Sequence, residues 1–256
     1  MTSTLTHACA LTVAAACGST CSNAGATTPT LPSTSGWHTS AELGAITTSG
    51  NTAGTSVTGK IDARQERDRW SNQYIATGFF KEDVRRSSGA PDDTVTTAKR
   101  FALSSKFAYR LGDDNERAYL LATHVEDKFG PFVEYSTLGV GRSTRWLQSV
   151  DKTLDVELGP GYFSGARPNG DTESGLTVRG AAALRWQLTP SALFSQTVSV
   201  ERGTSNVHSS AEAALSTKIN DTMQMKAAFV ARNDTNVPEF KKNTDTQTSV
   251  TLVYSF

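Results

Sequence analysis

Near the C-terminus, Thr246, Thr248, Val250, Leu252, Tyr254 and Phe256 alternate with Asp245, Gln247, Ser249, Thr251, Val253 and Ser255. One set is apolar with an aromatic end; the other is mostly small and polar. The arrangement recurs upstream. Leu176, Val178, Gly180, Ala182, Leu184, Trp186 and Leu188 oppose Thr177, Arg179, Arg185 and Gln187, and Phe101, Leu103, Phe107, Tyr109 and Leu111 oppose Arg100, Ser104, Lys106 and Arg110. A period of two places each set on one side of a sheet, whereas a helix would scatter it around its axis.

About twelve such segments follow one another, near 36–46, 55–66, 70–81, 96–111, 116–127, 132–147, 153–164, 175–188, 193–202, 207–219, 223–232 and 244–256. Many reach the roughly ten residues that a tilted strand needs to cross a bilayer. In the third, fifth and sixth, apolar residues occur on both faces and the register stays open. Short polar connections (Gly112 to Asn115, Gln148 to Lys152, Thr189 to Ser191, Asn220 to Thr222) alternate with long ones (Glu82 to Val95, Gly165 to Ser174, Asn233 to Asn243). Trp37, Trp70, Trp146 and Trp186, with Tyr109, Tyr119, Tyr254 and Phe256, fall at the strand ends joined by short turns; Phe79, Phe80, Tyr162 and Phe163 fall at the opposite ends. Loops sorted by length and two aromatic girdles are the marks of a membrane barrel. The pattern therefore predicts an all-β fold: a transmembrane antiparallel up-and-down β-barrel of about twelve strands, spanning residues 36–256.

Composition is consistent with this. No apolar run approaches the 18 or so residues of a membrane helix. The 37% apolar content and mean hydropathy of −0.35 suit a wall in which every second residue faces lipid. Lys plus Arg equals Asp plus Glu at 25 each, so no global field points to nucleic acid. Cys9, Cys17 and Cys21 all precede a small-x-small site at Ala24-Gly25-Ala26, which follows a short apolar stretch from Ala8 to Gly18. Residues 1–26 read as an export segment, although Met1 to His7 carries no Lys or Arg, and 27–35 as a Thr/Ser/Pro-rich linker. Cleavage there leaves no cysteine, and so neither disulfides nor thiolate metal sites in the folded domain.

Trp37 to Thr52, WHTSAELGAITTSGNT, closes an alternating strand on the turn Ser49-Gly50-Asn51-Thr52. Together with Glu126 to Gly141 (EDKFGPFVEYSTLGVG), Glu157 to Tyr162 (ELGPGY) and a lysine-bearing last loop before a strand ending in Phe, it resembles the YdiY-like family, described as salt-induced outer-membrane proteins. The resemblance covers roughly 36–256. It implies a barrel in the bacterial outer membrane, exported across the inner membrane, and supplies no catalytic residues. Val250-x-Leu252-x-Tyr254-x-Phe256 resembles the terminal signal read by barrel-assembly machinery.

Catalytic chemistry finds little support. His38, His124 and His208 are far apart without ligand-like spacing, so no metal or other cofactor is expected. No Gly-x-Ser-x-Gly elbow occurs, and the alternation puts His124 and His208 on the inner face, out of reach of a lipid ester such as outer-membrane phospholipase hydrolyses with Ser, His and Asn. Gly139-Val140-Gly141 and Gly159-Pro160-Gly161 lie within strands, where glycine eases curvature rather than cradling phosphate. The chain therefore does not read as an enzyme.

The inner face carries the chemistry. Its predicted acids are Glu42, Asp62, Glu66, Asp68, Glu134, Asp155, Glu157, Glu201, Glu212 and Asp245, with Glu126 on the same side. Its bases are Lys60, Arg64, Arg100, Lys106, Arg110 and Arg142, then Arg179, Arg185, Lys218, Lys226 and Arg232. Balanced charge inside a barrel of this size is compatible with two roles: an ion-pair network bracing the wall, or a narrow pore for small hydrophilic solutes whose opposing charges form a constriction. The expected partners are outer-membrane lipid and lipopolysaccharide and the assembly machinery, with the protein a monomer.

Overall fold

The computed structural model describes residues 36–48, 54–85, 93–112, 115–204, 206–237 and 242–256. The predicted export segment and linker, the Ser49–Thr52 turn and parts of the long connections lie outside the described residues. Twelve strands follow in chain order: β1 (Gly36–Thr48), β2 (Gly54–Glu66), β3 (Trp70–Arg85), β4 (Asp93–Arg110), β5 (Glu116–Asp127), β6 (Glu134–Gln148), β7 (Lys152–Ala166), β8 (Thr172–Thr189), β9 (Ala192–Arg202), β10 (Val207–Lys218), β11 (Met223–Asp234) and β12 (Thr244–Ser255). Each pairs antiparallel with its chain neighbours, and β1 pairs with β12 to close the barrel. Closure leaves no edge strand in the sheet, as a wall facing hydrocarbon requires.

The strands match the alternation but run further at the long-loop end. β3 reaches Arg85, and β4 starts at Asp93. There Lys81 and Asp83 form an ion pair at 3.0 Å, Thr97 donates to Asp83 at 2.8 Å, and a bulge sits between Lys81 and Glu82. These extensions carry charged or polar residues on both faces beside Val84 and Val95, so the apolar pattern that marks a wall in lipid does not register them. At the short-turn end the chain reverses tightly; Gly112 adopts a φ of +59°, a left-handed conformation open to glycine at little cost.

Register fixes the two faces. Leu176, Val178, Leu184 and Trp186 point outward, as do Val250, Leu252 and Tyr254, and the residues between them point in. Trp186 and Leu176 are ten residues apart on one outward row. At about 3.4 Å per residue and a tilt near 40°, that is about 26 Å, the height of a membrane barrel's apolar band. Trp37, Tyr109, Tyr254 and Phe256 are exposed around one end of this band; Phe80 and Tyr162 mark the other.

The open registers of β3, β5 and β6 resolve against several expectations. Tyr119, Phe79 and Phe163 face the lumen, not a girdle. On the β5–β6 side the lumen is filled by Tyr119, Leu121, Val125 and Tyr135, with Val125 the most deeply buried residue. Along this apolar stretch of the inner face, several charged residues go outward instead: Glu126 and Glu134 form an outward cross-strand pair, and Arg142 and His124 also face out, while Arg117, Asp127 and Arg145 stay inside at its ends. Asp68 lies in the β2–β3 turn rather than on either face.

Glycine permits the closest strand approach. A Cβ on Gly159 would fall on the Val140 carbonyl oxygen and 2.6 Å from the Gly141 Cα, while one on Gly141 would meet the Tyr119 ring and hydroxyl. These glycines let β6 and β7 draw together and give Tyr119 its place inside. The seam between β1 and β12 is short, with registered pairs from Ser40↔Ser255 to Leu43↔Leu252.

Candidate functional site in the barrel lumen

The inward rows bring most of the sequence-predicted charges into two networks. The first joins β1, β2, β3, β10 and β11. Asp62 accepts two hydrogen bonds from Arg64, at 3.1 and 3.0 Å, and further bonds from Gln73 at 3.1 Å. Lys60 lies 3.7 Å from Glu42 and 4.0 Å from Asp62. Lys226 sits between Glu42 at 3.3 Å and Glu212 at 3.1 Å. Lys226 on β11 reaches Glu42 on β1 across β12, so this bridge ties together the strands that flank the short seam. Both side chains are only about an eighth exposed (12% and 13%), so the pair is screened less than one on an open surface.

The second network lies on the opposite wall. Glu157 on β7 receives Arg179 of β8 at 3.1 Å and is also paired with Lys106 of β4. β4 and β7 are not neighbours, so the Lys106–Glu157 pair spans part of the lumen. The Lys106 ammonium is held over the Tyr119 face, 5.0 Å from the ring centre, an arrangement that adds attraction to the ring quadrupole. Arg145 and Asp155 form a two-pronged pair at 2.7 and 3.2 Å nearer the short-turn end.

Toward the long-loop end, Phe132 folds inward from the β5–β6 connection and packs on Phe163 and Tyr135, with ring centres 5.0 and 6.4 Å away. Beside them Arg100 and Asp127 pair at 3.4 Å and His208 and Asp234 at 3.0 Å. A cavity of about 90 Å³ opens there, room for several waters.

Of the residues singled out from the sequence, Glu42, Lys60, Asp62, Arg64, Arg100, Lys106, Asp155, Glu157, Arg179, Glu212 and Lys226 face the lumen and are paired within it. Arg185 and Arg232 also face inward, without a carboxylate in ion-pair contact among the described residues. Arg110 is inward at the short-turn rim beside Arg117. Glu134 does not belong to the lumen. Arg145, Asp127 and Asp234 do, and the alternation did not single them out. Arg145 shares its face with Tyr135, so an alternation that places Glu134 and Arg142 inside puts Arg145 outside; the bulge between Arg145 and Leu147 comes only after it.

Among the described residues no group of His, Cys, Asp and Glu is arranged to hold a metal ion. The profile of the family described as "Protein of unknown function, DUF481" matches residues 41–256. The chain belongs to this family. A DUF481 relative in sequence is "Uncharacterized protein YdiY" of Escherichia coli (strain K12), 24% identical over 213 residues, covering 83% of this chain and 80% of that one. Among solved structures the DUF481 barrel is similar to the NanC porin (TM-score 0.53, 8% identity, 85% of this chain and 98% of that chain). It is similar also to the COG4313 outer membrane channel from Pseudomonas putida F1 (TM-score 0.54, 10% identity, 86% and 96%). At these identities the likeness is one of fold: a closed, twelve-stranded barrel of the outer-membrane kind.

Proposed function

We propose that the protein is a narrow channel in the bacterial outer membrane for ions and small hydrophilic solutes. Its aqueous path would lie between the two ion-pair networks, and Lys106, Glu157 and Arg179 would form the constriction. The observation that carries this reading is water access to the charged lumen. Arg64 keeps 45% of its side chain exposed and Glu212 40%, although both point into the barrel. A packed interior would bury such groups and leave no path. Charges of both signs at a constriction favour small ions and polar solutes over large neutral ones. Two barrels of similar fold are described as a porin and an outer-membrane channel, which makes conduction the first property to test.

The salt link implied by the family resemblance fits the same chemistry. Screening lengths fall from about 10 Å at 0.1 M salt to about 3 Å at 1 M, so ion pairs reached by water loosen as salt rises. Conductance should therefore rise more steeply than the bulk conductivity of the solution. Ion release from vesicles holding the refolded protein tests the reading. Release above that of empty vesicles supports it; none from correctly folded protein counts against it.

A second reading is favoured by one observation. The Lys226–Glu42 bridge spans the short seam, which is what a brace would do. In that case the network stiffens a barrel whose outer loops act elsewhere, and the vesicles stay tight.

A further inference from the structure

The outward placement of His124 opens a possibility that its predicted inward position excluded. His124 on β5 and Ser136 on β6 are cross-strand partners on the outer face, and His124 Nδ1 lies 2.9 Å from Ser136 Oγ. The other ring nitrogen, Nε2, lies 3.8 Å from Glu126 Oε1. Serine, imidazole and carboxylate thus stand in the order that makes a serine nucleophilic: the base within reach of the hydroxyl, the acid on the base's far side. The contact to Glu126 is longer than a hydrogen bond, as such contacts often are before substrate binds. All three sit on paired strands, which hold their backbones in place without the help of a loop.

Height on the wall points to the substrate. One pleat toward the short-turn end, the outward row is Ala122, Leu138, Tyr162 and Leu176, the upper edge of the apolar band. The row of His124 and Ser136 continues through Ser164 and Ser174, and the next carries Glu126 and Glu134. The serine therefore stands where hydrocarbon gives way to headgroups, the level at which a lipid's ester carbonyls lie. The tyrosine below it is the ring type selected by that boundary.

We propose that Ser136, His124 and Glu126 form an acyl-ester site on the lipid-facing wall, separate from the lumen. Ser136 Oγ attacks the ester carbonyl carbon of a membrane lipid while His124 Nδ1 takes the hydroxyl proton. The bond from that carbon to the alcohol oxygen breaks, and the departing alcohol takes the proton from His124. Water, activated by the same imidazole, then cleaves the acyl–serine ester and releases a fatty acid. The main-chain N–H groups of β5 and β6 belong to the ladder, so among the described residues the wall offers no free pair to stabilise the oxyanion. Turnover is accordingly slow, and acylation of the serine is the step to measure.

The test uses the full chain refolded in vesicles of phosphatidylethanolamine and phosphatidylglycerol, with folding checked by heat-modifiable gel migration. A long-chain fluorophosphonate is the probe, and mass spectrometry locates the adduct. The expected result is labelling at Ser136, lost in Ser136→Ala. The rate should fall by about 100-fold or more in His124→Ala, the usual contribution of a general base. Ser164→Ala, the next serine along the row, should label as the parent does. A folded parent that stays unlabelled overturns the proposal. So does equal labelling of the parent and His124→Ala, which is what a merely structural Ser–His hydrogen bond would give.

Discussion

Lys106→Glu places a carboxylate where an ammonium now faces Glu157 and lies over Tyr119. The local charge changes by two units. A cation passing about 5 Å away would gain about 1.7 kcal/mol in bulk water, roughly 18-fold in local occupancy, and screening at 0.1 M salt lowers this to about 1 kcal/mol, roughly fivefold. Anion occupancy falls by the same factor, so the cation-to-anion permeability ratio should rise between about 25-fold and 300-fold, and the effect should shrink as salt increases. The stability cost is smaller than for a dry pair, about 2 kcal/mol, because water reaches the site and Arg179 still neutralises Glu157. The assay is the reversal potential across a planar bilayer under a salt gradient, for parent and variant, with both shown to be folded by heat-modifiable migration. A folded, conducting variant with an unchanged reversal potential would refute the assignment of Lys106 to the constriction.

Val198→Arg puts a charge on the outward face near mid-band and should destabilise the barrel by about 2–4 kcal/mol in denaturant titrations. The neighbouring Thr197→Arg, inward and opposite Glu212, should cost far less; equal losses would invalidate the β9 register. Gly159→Ala drives a methyl onto the Val140 carbonyl and should lower the melting temperature markedly, whereas Gly78→Ala, with nothing within 4 Å of the new atom, should not. Single cysteines at Asn169 and Asp151, at opposite ends of β7, should react oppositely with a membrane-impermeant thiol reagent on intact cells. Asn169 should be labelled and Asp151 protected, because long loops of outer-membrane barrels face outward and short turns the periplasm.

The barrel was legible because a wall between lipid and water imposes a period of two, and β8 and β12 carry it cleanly. Their outward Leu184 and Val250 and inward Arg185 and Thr251 stand as the alternation places them. Most of the charged lumen followed from the same rule. The rule failed where the barrel fills its own interior. Once Tyr119, Leu121, Val125 and Tyr135 occupy the lumen, polarity no longer separates the faces of β5 and β6, and Glu134, Glu126 and His124 were assigned to the wrong side. Arg145 was missed with them, because it shares parity with inward Tyr135 and not with Glu134. Which charge pairs with which could not be read from the strands. The Lys106–Glu157 and Lys226–Glu42 pairs join strands that are not neighbours, and only closure of the barrel brings them within reach.

Single-channel recording of the refolded protein in a planar bilayer decides whether the lumen conducts. Discrete, reproducible conductance steps are expected, small for a barrel of this width because ion pairs narrow the path, and growing faster than solution conductivity as salt is raised. Protein that is folded and inserted, shown by heat-modifiable migration and protection of its strands from protease, yet passes no current across the whole salt range would contradict conduction through the lumen.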